Sequence, residues 1–155
     1  MDTFFSHEIP DEGAMISLGT RLGGLLDEGD LVLLRGELGM GKSVLARSII
    51  RQSYPEAEAP SPTFTFVETY EGGSRTIFHY DLYRLETPDE VWELGIEEAL
   101  ETGLMLVEWP DRTNALPTEE ALHLLIETGE SAAARRVTLS GNANWARRLR
   151  KAALS

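Results

Sequence analysis

Gly36-Glu37-Leu38-Gly39-Met40-Gly41-Lys42-Ser43 matches the pattern G-x-x-x-x-G-K-[ST] in full, and the chemistry of that pattern is phosphate binding. The apolar run Leu31-Val32-Leu33-Leu34 precedes it, and Ser43 to Ile50 follows with helical character. The segment therefore reads as strand, loop and helix. In that setting the loop's backbone N–H groups wrap phosphate oxygens, and the helix directs the positive end of its dipole at them. Gly36, Gly39 and Gly41 allow positive φ and close approach of the backbone to an anion. Lys42, on a solvent-facing loop, is expected to reach the β- and γ-phosphates of a nucleoside triphosphate, and Ser43 to place its hydroxyl on Mg²⁺. The chain has two lysines, Lys42 and Lys151, against twelve arginines. One of the two sits in the loop, where arginine's planar fork cannot replace a compact point charge.

A phosphate loop needs a metal-holding carboxylate at the C-terminal end of a neighbouring strand, where ligands collect in open α/β sheets. Glu108 follows the apolar run Leu104-Met105-Leu106-Val107 directly. Aspartate is the usual residue there; the longer arm of glutamate holds Mg²⁺ through a water or orients the attacking water. Trp109 comes next and reads equally as a core aromatic or a functional one. Ser61-Pro62-Thr63-Phe64-Thr65 places a threonine on a long proline-punctuated loop, where it is a turn residue or a switch-type hydroxyl that senses the γ-phosphate. His79-Tyr80-Asp81-Leu82-Tyr83-Arg84 is rich in functional groups for a strand end. Asp81 reads as a partner to the metal site or as part of a salt-bridged hairpin edge.

The elements that must hold these residues are legible from periodicity. Pro10-Asp11-Glu12 starts a helix with Ile16, Leu18, Leu22, Leu25 and Leu26 on one side, ended by Gly29-Asp30. Residues 64–70 and 75–80, joined by Glu71-Gly72-Gly73-Ser74, read as a β-hairpin. Pro88 to Leu100 reads as a helix broken at Gly95, and Leu104–Val107 as a strand buried on both faces of a parallel sheet. Ala121–Glu127 and Arg135–Leu139 read as two more strands, and the tail from Asn142 has Trp145, Leu149 and Leu154 at near-helical spacing. The expected class is α/β: a phosphate-loop NTPase-type sheet with a parallel core, an inserted antiparallel hairpin and helices on both faces. Strand order does not follow from these patterns.

With 155 residues the chain has the length of one domain, residues 1–155. Hydrophobic content of 42% and charged content of 26% are those of a globular protein. No apolar run approaches a membrane span, and the start lacks the basic and apolar regions of a signal peptide, so the cytosol is the expected compartment. Without cysteine the sequence offers no disulfide, thiolate metal site or cysteine catalysis. The net charge of −12 opposes a broad nucleic-acid grip. Residues 131–155 nevertheless carry six basic groups and no acidic one. That tail reads first as a solvated helix face and second as a dock for a polyanion or acidic protein surface.

Five motifs in order resemble one family, the bacterial ATPase of tRNA threonylcarbamoyladenosine synthesis called TsaE or YjeE. They are residues 36–43, Ser61-Pro62-Thr63-Phe64-Thr65, His79-Tyr80-Asp81-Leu82-Tyr83-Arg84-Leu85, Glu93-Leu94-Gly95-Ile96 and Val107-Glu108-Trp109-Pro110. The resemblance implies a Mg²⁺-dependent ATPase that works with two protein partners. Those partners assemble the threonylcarbamoyl group and transfer it to an adenosine beside the anticodon, so tRNA is met only indirectly. By position it implies that Gly39, Met40, Gly41, Lys42 and Ser43 bind phosphate, with Ser43 and Glu108 on the metal. Thr63 takes the switch role, Asp81 lies close to the metal, and Trp109 is a functional aromatic. Glu12 is matched loosely to the adenine border and Arg136 to a nucleotide contact. Met40 stands where the family has a small residue, and its side chain is expected to point away from phosphate.

Two other readings share the loop. A small-molecule or nucleotide kinase needs an acceptor pocket and an arginine-bearing lid; Arg112, Arg135 and Arg136 are not clustered in such a stretch. A GTPase switch module commonly carries Asn-Lys-x-Asp, and neither Lys42 nor Lys151 follows an asparagine.

Overall fold

The structure is a computed structural model and describes residues 2–152. In chain order it runs β1 (Asp2–Ile9), α1 (Glu12–Gly23), β2 (Leu31–Arg35), α2 (Lys42–Ser53), β3 (Val67–Tyr70) and β4 (Ile77–Asp81). A 3-10 helix over Pro88–Leu94 leads into α3 (Ile96–Thr102), followed by β5 (Leu104–Glu108), β6 (Leu122–Thr128), β7 (Arg135–Gly141) and α4 (Ala143–Lys151). The strands form one sheet in the order β1-β7-β6-β2-β5-β4-β3. The four central strands, β6, β2, β5 and β4, are parallel; β7 and β1 extend one side antiparallel, and β3 the other.

The apolar runs occupy the middle because only central strands are covered on both faces. One face of the sheet packs on α1, α2 and α4 through Leu18, Leu22, Leu45, Ile49, Trp145 and Leu149. The other packs on the 3-10 helix and α3 through Val91, Ile96 and Ala99. The expected α/β class with helices on both faces is what the structure shows. The hairpin contributes more than an insertion, since its second strand, β4, is itself a member of the parallel core.

Three expectations change. α1 ends at Gly23 with Gly24 as its C-cap, so Leu25 and Leu26 follow the helix rather than belong to it. Residues 64–66 do not extend the hairpin: the Phe66 N–H donates to the Pro62 carbonyl at 2.8 Å and Phe66 takes φ 68°, so the chain coils and β3 starts at Val67. The N-terminal residues 2–9, read without structure, form an edge strand along β7. Its exposure does not alternate cleanly; pairing to β7 and the packing of Phe4, Phe5 and Ile9 on the core hold it in place. The tail forms α4 with Asn142 as N-cap, its side chain accepting from the Trp145 N–H at 3.1 Å; Leu154 lies outside the described residues.

The placement of α2, and with it the loop, depends on a close helix contact. A Cβ on Gly19 of α1 would lie 2.5 Å from Ser48 Cβ of α2, and one on Gly23 would lie 2.8 Å from Gln52 Cβ. Overpacking costs about 1–3 kcal/mol, against a gain of up to about 1 kcal/mol in helix propensity. Gly19→Ala is therefore expected to lower stability by roughly 1–2 kcal/mol. Urea denaturation checks this; a midpoint equal to wild type would show that the helices separate without cost.

Candidate functional site

Strand alternation decides which side chains meet. Ile77, Leu104 and Leu106 belong to the core on the α2 side, and Tyr80, Met105 and Val107 to the core on the other. With a period of two, His79 and Asp81 of β4 and Glu108 of β5 fall on the α2 side. Asp81 and Glu108 are direct partners in the parallel register, and Glu108 also pairs with Leu34 of β2. The two carboxylates thus stand side by side at the C-terminal ends of adjacent strands, opposite the start of α2.

The loop that opens α2 has left-handed glycines at Gly39 (φ 79°) and Gly41 (φ 109°). Gly41 is the N-cap and offers no side chain to the first N–H groups of α2; those groups are the free donors of the helix start. Lys42 is only 5% exposed, contrary to a solvent-facing position. Its ammonium donates to the carbonyls of Gly36 and Glu37, the latter at 3.0 Å, and lies 4.2 Å from the centroid of the Trp109 ring. Burial pulls its pKa below the usual lysine value, while the negative charges of Glu108, Asp81 and Glu37 act in the opposite direction.

Ser43 Oγ is 3.5 Å from Glu108 Oε1. The other carboxylate oxygen, Oε2, is 2.6 Å from His79 Nε2, with both side chains buried. Thr63 Oγ1 donates to Asp81 Oδ2 at 3.1 Å and is 3.0 Å from Ser61 Oγ, while Asp81 Oδ1 accepts the Tyr83 N–H at 3.0 Å. Lys42, Ser43, Thr63, Asp81, Glu108 and Trp109 line one cavity of about 270 Å³. Its donors are hard oxygens with a single lysine beside them. Among the described residues no three His, Cys, Asp or Glu side chains cluster as a self-sufficient metal cage. Two carboxylates and three hydroxyls, those of Ser43, Ser61 and Thr63, suit a cation that takes the rest of its shell from phosphate and water.

Trp109 adopts φ 58° and ψ 48°, a left-handed conformation that costs a non-glycine residue roughly 1–2 kcal/mol. Its surroundings hold it there. The Tyr83 ring is 4.8 Å away, and Arg112 lies 5.0 Å from Tyr83 and 5.8 Å from Trp109. The following turn is clamped to the end of β2 by a two-pronged Arg35–Asp111 pair, both contacts 2.9 Å. Arg35 keeps the Asp111 carboxyl below the usual carboxylate range. The third nitrogen of Arg35 is 2.8 Å from His123 Nδ1.

A second cavity of about 260 Å³ lies on the other flank of the loop, lined by Glu12, Met15, Gly39, Met40, Gly41 and Arg135 among others. Glu12 therefore borders the loop. Met40 packs against the core and does not line the cavity that holds Lys42 and Glu108. Arg136 is not brought to the loop: its guanidinium turns to β1, 3.3 Å from Ser6 Oγ and 3.5 Å from Glu8 Oε1. Its neighbour Arg135 points the other way and donates to the Met40 carbonyl at 3.2 Å. Successive side chains of a strand take opposite faces, so only one of the two arginines can face the loop.

The sequence model of the family described as threonylcarbamoyl adenosine biosynthesis protein TsaE matches residues 9–137. The chain belongs to this family. The matched span holds every residue of both cavities and all five motifs. The tRNA threonylcarbamoyladenosine biosynthesis protein TsaE of Rickettsia conorii is 40% identical over 122 residues, which cover 78% of this chain and 70% of that protein. The protein of the same description in Rickettsia felis is 44% identical over 103 residues, covering 66% of this chain and 60% of that protein. The crystal structure of Bacillus subtilis YdiB superposes with a TM-score of 0.79 over 99% of this chain and 97% of that one, at 20% identity. That likeness is one of fold.

Two residues of the site carry no role of their own in the sequence. His79 stands there only as part of its motif, although its place two residues before Asp81 on a strand puts both on one face. Arg135 and Arg136 are neighbours that only the phase of β7 separates.

Proposed function

We propose that the chain is a Mg²⁺-dependent ATPase subunit of tRNA threonylcarbamoyladenosine biosynthesis in the cytosol, binding and hydrolysing ATP at an interface with two threonylcarbamoyl-transfer proteins. The observation that carries this reading is the meeting of Lys42 and Ser43 with Asp81 and Glu108 in one cavity, in a chain of the TsaE family. The oxygen donors fit the metal: Ser43 and Glu108 would hold it, with Asp81 and Thr63 beside them. When bound, Mg²⁺ neutralises charge on the β- and γ-phosphate oxygens.

The chain's own groups supply the rest. Lys42 places a positive charge at the phosphates, the free N–H groups at the start of α2 bind their oxygens, and Glu108 directs a water at the γ-phosphorus and takes its proton. The new bond joins water oxygen to phosphorus, the bond to the β–γ bridging oxygen breaks, and ADP and phosphate leave. Glu12 and Arg135 flank the adjoining cavity, which suits the nucleoside end. The net charge of −12 leaves contact with tRNA to the partners.

The cavity is open to a partner on one side. Leu38 lines it at 63% exposure, and Phe64, next to Thr63, is 77% exposed with Arg84 4.4 Å from its ring. Apolar groups left in water beside a polar site mark a surface that another protein covers. Arg112, Arg135 and Arg136 are engaged by aromatic rings, carbonyls and β1, so none forms the lid a kinase would need. Steady-state assays test the reading. Weak ATP hydrolysis by the chain alone is expected, with stimulation once the transfer partners cover the site and exclude water. Trp109→Ala should abolish the stimulation while ATP binding persists. Fast hydrolysis without partners, or phosphoryl transfer to a metabolite, would favour a kinase.

A further inference from the structure

Ile77, Leu104 and Leu106 are apolar side chains on the same α2 face of the sheet as position 79. Packing there would be served as well by leucine. His79 is 1% exposed, and its Nδ1 has no hydrogen-bond partner among the described residues. The imidazole therefore has one polar contact, Nε2 to Glu108 Oε2 at 2.6 Å. A hydrogen bond to a carboxylate requires the ring proton on Nε2. It holds Oε2, and Oε1 is the oxygen turned toward Ser43. Histidine and glutamate come from different strands, with His79 diagonal to Glu108 across the β4–β5 pair. The contact is thus made by two backbone-anchored groups and not by a loop.

We propose that His79 is a positioning residue that fixes the rotamer of Glu108 through Nε2–H, selecting which carboxylate oxygen faces the phosphate cavity. This rests on the ATPase reading above. Glutamate has one more rotatable bond than the aspartate usual at such a strand end, and a buried donor on one of its oxygens removes that freedom. Groups of this kind, one bond removed from the reacting atoms, typically matter about 10–100-fold in activity or metal affinity.

The test compares His79→Leu, His79→Gln and His79→Asn in the chain assayed with its partners. Glutamine carries an amide nitrogen at the reach of Nε2, while asparagine stops at the reach of Nδ1. His79→Leu is expected to lower kcat by about tenfold or more with KM and ATP affinity within about twofold. Glutamine should restore most of the rate and asparagine should not. In a Glu108→Gln background, His79→Leu should change turnover by less than about twofold, because the group it acts through is already gone. Independent of activity, ring ¹⁵N spectra of labelled histidine should place the His79 proton on Nε2 and shift on Glu108→Gln. If the leucine variant fails to fold, the glutamine and asparagine pair and the ring spectra decide. Wild-type kcat in His79→Leu, equal rescue by asparagine, or a ring spectrum blind to Glu108→Gln would overturn the proposal. A wild-type chain that hydrolyses no ATP with its partners would instead sink the ATPase reading, and the ring spectra would still judge the contact.

Discussion

Glu108→Gln is expected to leave ATP bound and to cut its turnover by about 10²–10³-fold, the scale on which a single preorganised electrostatic group acts. The substitution keeps the volume of a side chain that is 2% exposed and packed at the end of β5, so the sheet should hold. What it removes is the negative charge opposite Ser43 and the ability to accept a proton from water. On the proposed reading, nucleotide affinity rests mainly on Lys42 and the loop N–H groups, which the change does not touch. Equilibrium binding of ATP beside single-turnover hydrolysis separates the two effects. Turnover equal to wild type would move the role to Asp81, which stands next to Glu108 in the strand register. Equal loss of binding and turnover would mean that Glu108 contributes to ground-state affinity.

Lys42→Met is expected to weaken ATP binding by at least about tenfold, since charge-assisted contacts are worth about 1.5–3 kcal/mol each and about 1.4 kcal/mol is a factor of ten. Methionine is the better test than alanine because Lys42 is buried. Its ammonium lies over the Trp109 ring and satisfies the carbonyls of Gly36 and Glu37, while its stem fills buried space. Alanine would remove packing as well as charge. A melting experiment on the same variant reads the loss of those carbonyl contacts separately from the loss of affinity, measured by calorimetry with ATP. Unchanged affinity in a folded Lys42→Met protein would remove the phosphate-binding assignment of the loop.

Much of this arrangement was legible along the chain. The loop at 36–43 carries its own geometry, since closely spaced glycines, a lysine and a serine at a strand–helix junction are local requirements. The runs 31–34 and 104–107 read as central strands because they lack polar alternation, and the break at Gly95 and the helical spacing of Trp145 and Leu149 are equally local. Each of these signals lies within a few residues of the structure it dictates. The strand at 2–9 had no such signal, because an edge strand draws its stability from the neighbour it pairs with.

The site itself belongs to the tertiary structure. Ser43 and Glu108 are 65 residues apart, and His79 and Glu108 are 29 apart; they meet because β2, β5 and β4 lie side by side in one register. The choice of Arg135 over Arg136 at the loop was decided in the same way, by the phase in which β7 pairs with β6 and β1. A side-chain period of two means that a register shift of one residue would exchange the two arginines, and would turn His79, Asp81 and Glu108 away from α2. Residue types and spacing state what chemistry is available. Strand pairing, a sum of contacts between distant segments, decides which of those groups face one another.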